Sequence, residues 1–499
     1  MYLYGLIIPF FSFVLQIWPR LINRYFGIDT WRHLMYAEYI RKHKKLPTRI
    51  TDRYLISSPF GYPPVILIFL ALFPKQFSDR YQFIFSPLFD FVHNYLIFLA
   101  TFFLTNNLMS AIMAQTIAAL TPITVIEASN LNTRVLSYVF FTLSFFPLLI
   151  FTTTNNYSWL AIAFIMLYVL FFTHKFSIQM YLFNTIGFSI IEKNPFYILF
   201  FLSAFIATFI FGGKTYRAIF YDHMGILNFW RKNYMLRFAH QFRGVPKHSD
   251  YYDFVQKVYL LSTKSPLIYI LGNNPWIMIF VLLLIAQYFH FFSYSQIMQY
   301  SILTKLISWS LLSLFIAILT LSFKKLNFLG EGHRYLEYGI FPLSIALGIF
   351  FIYFFNSFGL LFVSAFLFLS VILLSSIIYI QKKIILKDRT RTITKGLWNI
   401  IDYLNRTDGK KVRLIVFPFT LCDALVYFLK GRVLATDSGG GLILLKDVFP
   451  IIRMPLVEII KKNNLNYILF DENYVALKEL KLKEYKIVTY EDGYYLLKV

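Results

Sequence analysis

Apolar runs separated by polar breaks fill most of the first 380 positions. The first, Met1 to Trp18, has no basic start and no small-residue cleavage site, so it predicts a retained first span rather than a cleaved signal peptide. A polar, basic stretch follows at 19–62. Apolar runs then come at 63–74, 83–104, 108–126, 135–151, 157–172, 176–191 and 196–211. After a second long polar stretch at 212–275 come runs at 276–292, 303–323, 339–356 and 358–380. Set against the ~20 residues that cross a hydrocarbon core, this pattern predicts an α-helical polytopic membrane protein of about 11–13 spans.

Two runs are irregular. The one at 63–74 is short and starts at Tyr62-Pro63-Pro64, while 108–126 is diluted by Ser110, Gln115, Thr116, Thr121 and Pro122. A re-entrant segment at either place reverses the side of everything after it. Lysine and arginine bias does not settle the orientation, because both long polar stretches are basic. Positions 20–49 hold eight Lys/Arg and positions 213–264 hold nine.

From about Lys382 the pattern changes. Trp398–Asn405 reads as an amphipathic helix, Val412–Phe417 as a buried strand, Cys422–Leu429 and Leu456–Asn463 as helices, and Tyr467–Phe470 as a strand. A final hairpin turns at Glu491-Asp492-Gly493. The expected division is a multi-span part at 1–385 and a small soluble α/β domain at 386–499. Gly439-Gly440-Gly441 lacks both P-loop and GxGxxG spacing and reads as a flexible turn. No internal repeat is visible.

Composition agrees with a lipid environment. Of 499 residues, 58% are apolar and only 15% charged, with 58 Phe and 36 Tyr; a soluble chain carries about 25% charge. The single cysteine, Cys422, excludes an internal disulfide and a cysteine metal cage. The net charge of +23 would point to nucleic acid in a soluble protein, but no basic helix, zinc-finger spacing or RNP-type motif accompanies it. Positions 390–499 hold 17 Lys/Arg and 12 Asp/Glu, or +5, which leaves +18 in the membrane part, beside apolar spans where anionic lipid lies.

Candidate chemistry concentrates in the first polar stretch. If Gly27–Ile40 is helical, Asp29, Arg32, His33 and Tyr36 fall at i, i+3, i+4 and i+7 along one face. The same spacing also fits an ordinary interfacial helix with a solvated face and Trp31 as membrane anchor. The run Arg41–Lys45 reads as head-group or phosphate contact.

An acid just after the first span, an amphipathic first loop and Tyr-Pro-Pro entering the next apolar run together resemble the C-type, polyprenyl-phosphate-dependent membrane glycosyltransferases. The likeness is to prokaryotic members related to oligosaccharyltransferase and protein mannosyltransferase. Asn132-Thr-Arg-Val-Leu136 and Gly330-Glu-Gly-His-Arg-Tyr-Leu-Glu-Tyr-Gly339 also look like such proteins. The resemblance implies a sugar moved with inversion from a polyprenyl-phosphate-linked donor to a lipid, glycan or protein acceptor in the cell membrane. It implies Asp29 as the catalytic carboxylate, a base near the acceptor, with Arg32, His33, Tyr36, His333 and Arg334 as substrate-binding residues. It also implies that the first polar stretch and the C-terminal domain share one side, whereas a plain span count puts them on opposite sides unless an irregular run is re-entrant.

The chain departs from that family in two ways. It has no Asp-x-Asp and no Trp-Trp-Asp-Tyr-Gly, so peptide-asparagine transfer and a divalent metal held in the oligosaccharyltransferase manner are both in question. A second acid would have to come from Asp222 or Asp250. A flippase for lipid-linked sugars and a non-enzymatic membrane assembly protein are the rival readings. Asp90 and His93, three apart in an apolar run, read either as a mutually satisfied pair or as part of a polar cavity, Glu127 and Glu192 as interfacial residues, and His174-Lys175 as a short loop. Glu331, His333, Arg334 and Glu337 form either an internal ion-pair cluster or a substrate site.

Overall fold

The computed structural model describes residues 2–27, 29–49, 53–237, 239–244, 265–290, 302–436 and 440–499. Asp250, the Tyr251-Tyr252 pair and Gly439 of the triple glycine lie outside them; Gly440–Leu445 forms a short 3-10 helix.

Among the described residues, six helices are long and apolar enough to cross a membrane, or up to eight when each of two bent pairs counts as one span. The chain is therefore a multi-pass membrane protein. The number is lower than the run count because prolines and short breaks divide the apolar segments. The run at 63–74 yields only the seven-residue helix Val65–Ala71, set between Pro63-Pro64 and Pro74. The run at 108–126 breaks into Leu108–Ala119 and Pro122–Ala128, bent by 64°, and Pro266–Asn273 meets Trp276–Tyr288 at 107°. Tyr157–Leu170, Lys175–Ile191 and Phe196–Phe211 have only 14, 17 and 16 residues.

Thr133–Thr154 and Gly332–Phe358 are the central spans, 83% and 78% buried. Leu360–Leu386, the most apolar, is 11% buried and so faces outward, where only lipid suits it. Asp90 and His93 are both buried but do not serve one another. Asp90 accepts from Gln16 (2.6 Å) and Ser12 (3.3 Å) of the first helix, and His93 bonds Thr142 (3.2 Å). Each ties its helix to a different neighbour, because residues three apart on one helix diverge enough to meet separate partners.

The C-terminal part is a five-stranded mixed sheet with flanking helices. Its strands are β1 (Arg413–Phe417), β2 (Arg432–Val433), β3 (Tyr467–Asp471), β4 (Lys486–Glu491) and β5 (Tyr494–Lys498), in the order β2-β1-β3-β5-β4. β1 runs parallel to β2 and β3, with Leu414 opposite Tyr467, while β5 is antiparallel to both β3 and β4. Helices Lys395–Thr407, Cys422–Phe428 and Leu456–Asn463 stand where periodicity places them. All five side chains of β3 are buried, as a strand covered on both faces requires.

The edge of this sheet is not free. Beyond β2, residues 53–56 of the first polar stretch continue it: the Val433 amide donates to Arg53 O (3.0 Å), Leu55 N to Val433 O (2.9 Å) and Ile56 N to Leu434 O (2.9 Å). Gly27 N donates to Arg391 O at 2.8 Å. The second polar stretch docks as well, through His240 Nε2 on Tyr474 O (2.7 Å) and Arg243 on both carboxylate oxygens of Glu479 (2.9 and 3.0 Å). The first polar stretch and the C-terminal sheet therefore share one side, and an even number of membrane crossings must separate them.

Candidate functional site

The site begins where the chain leaves the first span. Gly27 takes φ +138°, and a Cβ there would come within 2.5 Å of Thr30 Oγ1 and 2.8 Å of Asn130 Oδ1, so glycine permits the turn that starts the next helix. That helix, Asp29–His43, is not the solvated interfacial helix its spacing also allowed. Trp31, Arg32, His33, Leu34, Met35, Tyr36 and Ala37 are all buried. Trp31 packs on Tyr427 and Phe428 of the C-terminal unit instead of anchoring in lipid. Arg41 caps the carbonyls of Phe73 (2.7 Å) and Leu70 (3.1 Å) rather than reaching for head groups.

Asp29 stands at the helix's first turn with its side chain 46% exposed, in contrast to its buried surroundings. Arg32, one turn on, donates to it at 2.8 Å. The Arg32 guanidinium lies 5.2 Å from the centre of the Tyr62 ring and reaches Asp423 Oδ2 at 3.3 Å. His33 Nε2 meets Tyr62 OH at 2.7 Å, and Tyr62 is 3.4 Å from Thr133 Oγ1 at the head of a central span. Tyr36 is buried edge-on against Phe60, with ring centres 5.0 Å apart. The Tyr-Pro-Pro element thus supplies a platform for Arg32 and His33.

Charge around Asp29 is arranged in one sense. The surrounding protein raises its pKa by desolvation, but Arg32, then His33, Arg134 and Arg334 outweigh that and hold the carboxyl below its usual value. His33 itself is pushed down to about 3 by burial and by Arg32, so it is neutral at pH 7. Three guanidiniums are left acting on one half-exposed carboxylate. Burial raises the Tyr36 and Tyr62 hydroxyls, which stay protonated.

Arg134 opens a central span and is bonded by Glu127, by Glu337 (3.3 Å) and by Asn132 Oδ1. Glu127, expected at the interface, thus belongs to an internal ion-pair group. The cluster at 331–337 divides: Arg334 pairs with Glu331, whereas Glu337, fully buried, takes Arg134 and the Tyr138 hydroxyl. His333 bonds Tyr269 OH at 3.2 Å through Nδ1 and packs edge-on against its ring. Arg334 is brought within electrostatic range of Asp29, and His333, whose Nε2 also lies 3.9 Å from Glu331, is buried against Tyr269.

Several residues here lay beyond sequence reasoning. His174 ends a short connection, as expected, and its side chain caps the helix starting at Lys175, which itself is helical and pairs with Asp222. Gly61 presses against Asp222, where any side chain would collide with it and with the Ala218 carbonyl. Arg134, within the quoted Asn-Thr-Arg element, and Tyr62, within Tyr-Pro-Pro, carried a local signal. Asp423 carried none, lying 369 positions from its partner Tyr54.

The acids near Asp29 are each held by cations: Asp222 by Lys175, Asp423 by Arg32, Glu127 and Glu337 by Arg134. Among the described residues no group of three or more His, Cys, Asp or Glu is placed to hold a metal ion.

No protein-family model matches the chain, and no curated protein matches it by sequence. Solved structures do. Over 94% of this chain and 69% of the other, it superposes with TM-score 0.50 and 12% identity on the archaeal oligosaccharyltransferase AglB from Archaeoglobus fulgidus, in complex with an inhibitory peptide and a dolichol-phosphate. The fold is that of a C-type membrane glycosyltransferase. An A. fulgidus oligosaccharyltransferase tethered to an acceptor peptide gives TM-score 0.51 at 10% identity, with the same 94% and 69% coverage. ArnT from Cupriavidus metallidurans bound to undecaprenyl phosphate gives 0.44 at 10% identity, over 99% of this chain and 96% of that one.

Proposed function

We propose that this protein is a membrane glycosyltransferase that moves a sugar from a polyprenyl-phosphate-linked donor to an acceptor hydroxyl or amide, with inversion at the anomeric carbon. The observation that carries the reading is Asp29, a half-exposed carboxylate in a buried setting with Arg32, Arg134 and Arg334 acting on it. AglB, which has this fold, is in complex with a dolichol-phosphate, and this supports a polyprenyl-type lipid phosphate as the donor carrier.

In the proposed step the acceptor's O–H or N–H faces Asp29, and its heteroatom attacks the anomeric carbon as the bond from that carbon to the phosphate oxygen breaks. A single displacement inverts the centre. The acceptor's proton passes to Asp29, and the charge developing on the departing phosphate is met by Arg334, with Arg134 behind it. A planar guanidinium suits two phosphate oxygens at once. Arg32 fixes the Asp29 carboxylate, while neutral His33 and protonated Tyr62 buttress Arg32 and the helix. Tyr36 and His333 are buried supports of the pocket wall in this scheme, so the direct binding role expected for them passes to Arg334.

The test uses the purified full chain in lipid nanodiscs with a radiolabelled polyprenyl-phosphate-linked hexose and a membrane extract as acceptor source. Asp29→Asn is expected to lower transfer by roughly 10²–10⁴-fold with unchanged folding, since the side chain is half exposed. A correctly folded Asp29→Asn protein that transfers at the wild-type rate would overturn the assignment. Consumption of donor, as opposed to its movement across the bilayer, separates this reading from a flippase.

A further inference from the structure

The C-terminal sheet is joined to the first polar stretch by more than proximity. Asp423, in the first turn of Cys422–Phe428, is 2% exposed and accepts from Tyr54 OH at 2.6 Å through Oδ1. Its Oδ2 lies 3.3 Å from Arg32 Nη1. The other amino group of the same guanidinium, Nη2, donates to Asp29 at 2.8 Å. Arg32 is thus stretched between two carboxylates, one buried and one half exposed, with the Tyr62 ring under it. A buried carboxylate is costly unless paired, and here the pairing fixes the side chain that touches Asp29.

We propose that Asp423 is a positioning residue of the transfer site: through Arg32 it sets the orientation of Asp29, so that the C-terminal unit forms part of the active centre. This rests on the transferase reading given above. Outer partners of this kind act on reacting groups through geometry and charge. The groups that face Asp29 are Arg32 and His33 of its own helix, Tyr62 of the Tyr-Pro-Pro element, Arg134 of Thr133–Thr154 and Arg334 of Gly332–Gly339. Asp423 faces Arg32 and Tyr54, and its charge also reaches Tyr36, which in turn feels Tyr62 and Asp222. Removing the Asp423 charge leaves Arg32 answering Asp29 alone, which favours the Asp29 carboxylate still more.

The experiment compares wild type with Asp423→Asn, Asp423→Glu and Tyr54→Phe in nanodiscs by two readouts. The first is the pH profile of kcat and KM with the polyprenyl-phosphate-linked hexose. The second needs no turnover: pH-dependent labelling of Asp29 by dicyclohexylcarbodiimide, which reacts with the protonated carboxyl, quantified by peptide mass spectrometry. Asp423→Asn is expected to lower kcat roughly 10- to 100-fold with little change in KM. It is also expected to move the acid limb and the labelling midpoint of Asp29 down by about half a unit to one unit. Asp423→Glu should restore part of both, and Tyr54→Phe, which keeps the charge, should leave the midpoint in place. An unchanged midpoint and kcat in folded Asp423→Asn overturns the proposal, and so does an equal midpoint shift in Tyr54→Phe, which marks general loosening. A shifted midpoint in a chain that never consumes donor upholds the link from Asp423 to Asp29 and overturns the transferase reading.

Discussion

The amide of Leu55 donates to the carbonyl of Val433 at 2.9 Å, and this one backbone bond fixes the topology. Leu55 precedes most of the apolar helices and Val433 follows all of them, so every crossing between them must sum to a return to the same side. Lys44 and Lys446, both exposed, give the check. Single cysteines placed there, with the buried Cys422 replaced by serine, should react with a membrane-impermeant maleimide from the same face. Labelling from opposite faces would rule this arrangement out.

Arg134 is 6% exposed and bridges Glu127 and Glu337, two carboxylates on different elements. Breaking a buried pair costs more than the pair is worth, because a charge is left without a partner. Arg134→Met is therefore expected to destabilise the detergent-solubilised protein by about 3–5 kcal/mol. Adding Glu337→Gln should recover part of that loss, since it removes one stranded charge. Thermal unfolding of the single and double variants measures both effects, and additive losses would contradict the coupling.

The tie between Arg243 and Glu479 makes a pH prediction. Hydrogen bonding from Arg243, against some desolvation, draws the Glu479 carboxyl down to about 2. A carboxyl with a depressed folded pKa stabilises above its unfolded value of about 4.3 and loses that contribution as pH falls through the folded value. Docking of the second polar stretch on the C-terminal sheet should hold unchanged from pH 7 to 5 and weaken only below about 4. Limited proteolysis near Gly244 follows it: wild type should stay protected at pH 5, and Glu479→Gln should be cut faster at pH 7. Equal protection of that variant at pH 7 would show that the ion pair does not hold the segment.

Local signals made some of this architecture readable and long-range ones did not. Leu456–Asn463 and the turn at Glu491-Asp492-Gly493 were legible because amphipathic period and turn chemistry act within a few residues. So was the pairing of Asp29 with Arg32, one helical turn apart. Helix periodicity states which residues share a face but not which element covers it. It follows that Asp423 behind Arg32, Tyr62 beside His33 and Glu337 against Arg134 emerge only from the packed fold. Asp90 and His93 show the converse error: neighbours on one face took partners on the first helix and on Thr133–Thr154.

The adjacent residues His333 and Arg334 separate binding from support. The Arg334 side chain is 28% exposed, beside Glu331 and within electrostatic range of Asp29. His333 is buried on Tyr269, with ring centres 5.0 Å apart. A phosphate-binding guanidinium contributes charged hydrogen bonds worth about 1.5–3 kcal/mol, so Arg334→Gln should raise KM for the lipid-linked donor roughly 10- to 100-fold. Its effect on thermal stability should be smaller, as a partly exposed pair contributes about 1 kcal/mol or less. His333→Phe keeps the ring contact but loses the bond to the Tyr269 hydroxyl, which should cost about 1 kcal/mol of stability and leave KM unchanged. Donor titrations and melting curves of the two variants decide the matter, and a KM effect confined to His333→Phe would transfer the phosphate role from Arg334 to its neighbour.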